Sequence, residues 1–202
     1  MINIIKGIDL AGEIGKYDLI LVGTNTYCTM PQGFQREVML DYPYVLEENM
    51  KTKYADRSKL GTCLECAEEG QPTFSLLFVT FGYNFRPDKE SDYLDYEALD
   101  KCLKSVNVLY RGRKMATTVI GCTKWDGNGD RERVIKMMEE DLTDVDVDVY
   151  DYRQLSVQEL KKAFYEEEMA LRGVDEQKRK KMVTERKKKA EERRKKNGHA
   201  GY

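Results

Sequence analysis

Thr117-Thr118-Val119-Ile120-Gly121-Cys122-Thr123-Lys124-Trp125-Asp126-Gly127-Asn128-Gly129-Asp130, running on into Arg131-Glu132-Arg133-Val134-Ile135-Lys136-Met137-Met138-Glu139-Glu140-Asp141-Leu142, decides the fold class. Its opening residues are β-branched and apolar, which suits a short buried strand over 117–121. Glycines then punctuate a loop up to Asp130, after which Val134, Met137, Met138 and Leu142 recur on one helical stripe. A strand that passes through a glycine-rich loop into a helix is the unit of an α/β fold, and a helix N-terminus so placed presents backbone N–H groups to an anion. Gly127-Asn128-Gly129 is also an ordinary tight turn, so this stretch alone leaves both readings open.

A second unit of the same kind lies upstream. The apolar run 19–23 leads into Gly23-Thr24-Asn25-Thr26-Tyr27-Cys28-Thr29-Met30-Pro31-Gln32-Gly33-Phe34, where Gly33 either belongs to a ligand loop or simply starts a helix. Further strands are expected at 2–6, 62–67, 75–80 and 146–150, with helices between them. One of these follows Asp95 and carries Leu99, Cys102, Leu103, Val106 and Leu109 on its apolar stripe. Short Val/Ile/Leu runs alternating with helical periods give an α/β domain whose ligand lies beyond the C-terminal ends of the strands. Two glycine-bearing loops side by side at that edge could hold a diphosphate.

Composition narrows the chemistry. His199 is the only histidine and lies near the C-terminus, which removes Ser-His-Asp, Cys-His and histidine-ligated metal chemistry from the folded part. Five cysteines without a framework are expected to be reduced. Cys63 and Cys66 have metal spacing, but on a strand residues three apart face opposite sides, so they do not chelate one ion and no metal site is expected. Asp144, Asp146 and Asp148 alternate with valines; this row reads as one solvated strand face that discourages edge pairing, not as a calcium site. No GxxxxGK[ST] loop is present. No run approaches the length of a membrane span, and MINIIKGIDL lacks the order of a signal peptide, so a cytoplasmic protein without membrane contact is expected.

Charge divides the chain. Residues 175–202 hold 12 Lys/Arg against 5 Asp/Glu, while the first 174 hold 22 against 31, so a +7 tail follows a −9 body. The expected organisation is a domain over 1–155, a helix over 156–173 opened by the capping box Ser156-Val157-Gln158-Glu159 and closed by Gly173, and a basic helical or disordered tail over 174–202. Three readings of the tail stay open: a solvated extension, a non-specific nucleic-acid contact through phosphate neutralisation, or a contact with an acidic protein.

With these motifs in place, residues 1–155 resemble the macro-domain family, most closely its terminal ADP-ribose protein glycohydrolase and ADP-ribose-1″-phosphate phosphatase branch. Gly7-Ile8-Asp9-Leu10 is similar to the family's Gly-Asp-Leu/Ile turn with one residue inserted, and Asp18-Leu19-Ile20-Leu21-Val22-Gly23-Thr24-Asn25 to its strand ending in an asparagine. Cys28-Thr29-Met30-Pro31-Gln32-Gly33-Phe34 resembles the branch's Cys-Arg-Met-Gly-x-Gly-Ile loop, with Pro31 in place of a glycine. Ile120-Gly121-Cys122 through Asp126 resembles its Ile-Gly-Cys-Gly-Leu-Asp loop, with Lys124 and Trp125 as unusual occupants and a longer approach to the helix.

The resemblance implies a central mixed sheet flanked by helices. It implies that Asp9 meets the adenine amino group, that Asn25 lies beside the distal ribose, and that the adenosine pocket falls by Tyr150 and Tyr152, either of which stacks on adenine or else anchors the sheet edge. The remaining ligand contacts fall to Met30, Gly33, Phe34, Gly121, Cys122, Thr123, Lys124, Trp125, Gly127, Asn128 and Gly129. Asp126 is the implied catalytic carboxylate, and no cofactor is implied. The branch's lysine after the strand at 76–80 is absent, the sequence there being Phe78-Val79-Thr80-Phe81-Gly82-Tyr83, so Schiff-base catalysis through that lysine is not supported. The expected function is binding of ADP-ribose or of ADP-ribosylated macromolecules, with or without hydrolysis of the linkage. The alternative is a non-catalytic interaction protein that uses the fold as a scaffold and its tail to bind nucleic acid or a partner.

Overall fold

The computed structural model describes residues 1–82, 93–123 and 127–151. These residues all fall within the unit Met1–Gln154; the segments expected as a C-terminal helix and basic tail lie outside them. The described strands are β1 (Ile2–Lys6), β2 (Leu19–Asn25), β3 (Cys63–Cys66), β4 (Phe74–Thr80), β5 (Lys114–Thr118) and β6 (Asp146–Asp151). The helices are α1 (Gly33–Asp41), α2 (Pro43–Met50), α3 (Tyr96–Leu109) and α4 (Arg131–Asp141), with a 3₁₀ helix at Leu10–Lys16 and another at Arg57–Lys59. The strands form one mixed sheet in the order β1-β6-β5-β2-β4-β3, in which every pair is parallel except β3 with β4.

Alternation along the strands builds two cores. Leu19 and Leu21 of β2, Leu77 and Val79 of β4, Met115 of β5 and Val147 and Val149 of β6 face α3 and α4, where Leu99, Leu103, Val106, Val134 and Met138 meet them. Ile20, Val22, Phe74, Leu76, Ala116 and Tyr150 point the other way, onto Leu10, Met30, Val38 and Val45. Burial on both faces is what a central strand paired in parallel takes on, and β4 is accordingly buried at every position, with Leu76 to Val79 an unbroken apolar run. Each such Leu, Val or Phe contributes about 1.5–3 kcal/mol by leaving water. Cys63 packs toward the first core and Cys66 lies in the second, so the two sulfurs face opposite sides as expected.

The structure corrects three expectations. The strand placed at 117–121 runs over Lys114–Thr118, because Met115, Ala116 and Thr117 make the ladder to β2 and β6 while Gly121 turns at φ 65°. Ile120 leaves the ladder to plug the core beside Gly23, where a Cβ would come within 2.7 Å of its Cγ2. Leu109 is 64% exposed and does not extend the α3 stripe; α3 ends there, and Tyr110 folds back so that its hydroxyl lies 3.3 Å from Ser75 Oγ. The aspartate row of β6 does not protect an edge, since β6 is paired on both sides, and Asp148 accepts hydrogen bonds from Asn3 and Tyr17. Among the described residues no helix is long and apolar enough to cross a membrane.

Candidate functional site

Because β1, β6, β5, β2 and β4 run parallel, the segments that follow them gather at one edge of the sheet. The loop after β2 is held by Asn25, which is 2% exposed. Its Nδ2 donates to the Thr29 carbonyl at 2.9 Å, and its Oδ1 accepts from Tyr27 N at 2.9 Å and Thr29 Oγ1 at 3.2 Å. The amide therefore acts as a brace across the loop. Thr26 ties the same loop to β4, its N–H and hydroxyl donating to the Phe81 carbonyl. Met30 is buried in the core, and Phe34 is partly buried against it. Gly33 opens α1 at φ 56° with open space around its missing Cβ.

The two helices at this edge begin differently. Gln32, at the N-cap of the nine-residue helix α1, makes no side-chain cap hydrogen bond. Asp130 caps α4 with its own carboxylate, accepting from Arg133 N at 2.9 Å, and its backbone N–H donates to Tyr96 Oη at 2.7 Å. A carboxylate already in place takes up the positive end of α4. The loop before it is closed on itself, with Asn128 N donating to the Thr123 carbonyl and Gly129 N to the Gly121 carbonyl, each at 2.9 Å. Gly127 stands at φ 98°, and its carbonyl accepts from Leu94 N at 2.8 Å. Cys122 is buried, its thiol donating to the Ile120 carbonyl. Thr123 and Gly127 bridge, while Lys124, Trp125 and Asp126 between them lie outside the described residues, as does Tyr152.

Asp9, after β1, caps the 3₁₀ helix by accepting from Ala11 N at 2.9 Å. Near it the Glu37 carboxyl of α1 is pushed above its usual range, first by burial and then by the charges of Asp9 and Asp41. The structure thus brings Asp9, Asn25, Gly33, Phe34, Gly121 and Gly129 to one edge of the sheet, with Met30 and Cys122 as core supports beneath it.

Two features escaped the sequence reading. Arg131 at the start of α4 pairs with the buried carboxylate of Asp151 at the end of β6, and the only hint was an aspartate breaking the valine alternation after Tyr150. Lys59 is 9% exposed and reaches the loop after β2, where its Nζ lies 3.2 Å from Cys28 Sγ, 2.9 Å from Thr52 Oγ1 and 4.8 Å from the centre of the Phe78 ring. Nothing in its polar surroundings in sequence signals burial. A cavity of about 260 Å³ lined by Asp41, Tyr42, Tyr44, Glu47, Glu68 and Gln71 opens at the opposite edge, near the start of β4. Its acidic lining repels a diphosphate.

No protein-family sequence pattern matches this chain, and no curated protein does. Solved structures do. A Bacteroides thetaiotaomicron protein of unknown function superposes with a TM-score of 0.62 at 22% identity, over 75% of this chain and 98% of that one. The macrodomain of Thermus aquaticus DarG gives a TM-score of 0.59 at 17% identity, over 74% of this chain and 97% of that one. Thermosipho africanus DarTG, solved in complex with ADP-ribose, gives 0.57 at 18% identity; the match covers 74% of this chain and 41% of that longer one. The mixed sheet with helices on both faces is the macrodomain fold.

Proposed function

We propose that the domain binds ADP-ribose, free or attached to a macromolecule, at the C-terminal edge of the parallel strands. The diphosphate lies on the first turn of α1 and the adenine near Asp9. The observation that carries this reading is the contrast between the helix starts: α1 follows the Asn25-braced loop with no side-chain cap, whereas α4 is occupied by Asp130. Backbone donors and the positive end of a helix are what an anion needs. The ADP-ribose complex of the Thermosipho africanus protein, which shares the fold, supports the choice of ligand.

Hydrolysis of the ADP-ribosyl linkage is assigned to Asp126, acting on a bound water as a general base, with no cofactor. The basic tail brings a modified nucleic acid to the site by neutralising phosphates. The reading of a purely binding protein keeps one argument of its own, that Phe81-Gly82-Tyr83 and no lysine directly follow β4.

Calorimetric titration of ADP-ribose into the full chain tests the binding reading: saturable one-to-one binding is expected, and absence of binding overturns it. For hydrolysis, Asp126→Ala is expected to cut release of ADP-ribose by about 10²-fold or more while affinity changes little. Equal release by the variant, or none by the wild type from modified protein or nucleic acid, removes catalysis and leaves binding standing.

A further inference from the structure

The geometry points to Cys28 and Lys59 as an oxidisable pair that closes into a covalent sulfur–oxygen–nitrogen bridge, a modification site beside the candidate ligand loop. Both residues are 9% exposed, and Sγ and Nζ stand 3.2 Å apart, a gap that one bridging oxygen spans. Thr52 Oγ1 touches both partners, at 2.9 Å from Nζ and 3.3 Å from Sγ, where it can steady an oxygen on the sulfur and relay a proton. Among the described residues no carboxylate pairs with Lys59; its polar contacts are the thiol, the hydroxyl and the Phe78 ring. Cys28 is also held at φ 52°, a left-handed conformation costly for a residue with a Cβ.

The chemistry balances with hydrogen peroxide as oxidant. One molecule oxidises the Cys28 thiol to the sulfenic acid and leaves as one water. A second oxidises the neutral Lys59 amine against that sulfenic acid: the N–O bond forms, the sulfenyl oxygen stays as the bridge, one amine hydrogen and the sulfenic hydrogen depart, and two waters are released. Sulfur and nitrogen each lose two electrons. The bridge ties the loop at 26–32 to the segment that precedes β3.

The test is peroxide treatment of the reduced full-length chain, followed by intact-mass measurement and tryptic mapping without reductant. A species heavier by about 14 Da is expected, reversed by dithiothreitol and giving one joined peptide that contains both Cys28 and Lys59. Cys28→Ser and Lys59→Arg should not form it; the arginine keeps the cation and the fold while removing the primary amine. Cys28 that stays alkylatable, Cys28 that goes on to the sulfinic acid without a joined peptide, or a bridge-mass species persisting in Lys59→Arg each overturn the proposal. None of these readouts depends on ADP-ribose, so this proposal and the binding proposal fail separately.

Discussion

Gly127 shows what the glycines of the second loop do. Its φ of 98° is open only to a residue without a Cβ, and a Cβ there would lie 2.9 Å from the Gly121 carbonyl oxygen, a backbone atom that cannot swing aside. At Gly129 the nearest obstruction is Leu94 Cδ2 at 2.6 Å, the tip of a side chain, and no positive φ is required. Gly127→Ala is therefore expected to destabilise the domain by about 1–3 kcal/mol and Gly129→Ala by less, read by chemical denaturation. Equal losses would contradict this account of the turn.

Among the elements, α4 and α3 are legible in the sequence from their 3.6-residue apolar period, and the structure adds that Asp130 and Asp95, just before each stripe, cap them. β5 was read three residues late because Val119 and Ile120 have strand composition but serve as a plug beneath the loop. The Lys59–Cys28–Thr52 cluster was not legible at all: its members come from three separate segments, and only the tertiary fold makes them neighbours. The face that holds α1 and α2 also buries acids that resist ionisation. Burial pushes the Cys66 thiol up to about 12 from the ordinary 9.0, and Tyr44 and Tyr17 are raised too, chiefly by burial. The folded state then holds protons that the unfolded state releases, so stability is full below about pH 9 and falls as pH rises toward 12. In melting temperatures recorded from pH 8 to 11, Cys66→Ala should flatten this decline despite its lower starting value. An unchanged slope would show that Cys66 does not contribute.

At the scale of the whole molecule, the division of charge sets the expectation for partners. A −9 body repels polyanions, and a +7 tail without aromatic residues before Tyr202 attracts them without reading bases. The full chain is expected to bind duplex and single-stranded nucleic acid with an affinity that falls steeply as salt rises, and deletion of residues 175–202 should abolish that binding. Salt-independent retention by the truncated chain would place the contact elsewhere.

The central claim, that ADP-ribose sits with its diphosphate on the first turn of α1, where Gln32 makes no cap, is tested most directly by calorimetric titration of wild type and Gln32→Asp with the melting temperature of each. Gln32 has the extended backbone of an N-cap, so an aspartate there should cap α1 and add about 1 kcal/mol of stability. The same carboxylate would occupy the donors and repel the ligand. The account predicts opposite signs, a higher melting temperature with ADP-ribose affinity lower by about 10-fold or more. A stabilised variant that binds ADP-ribose as tightly as wild type would contradict it.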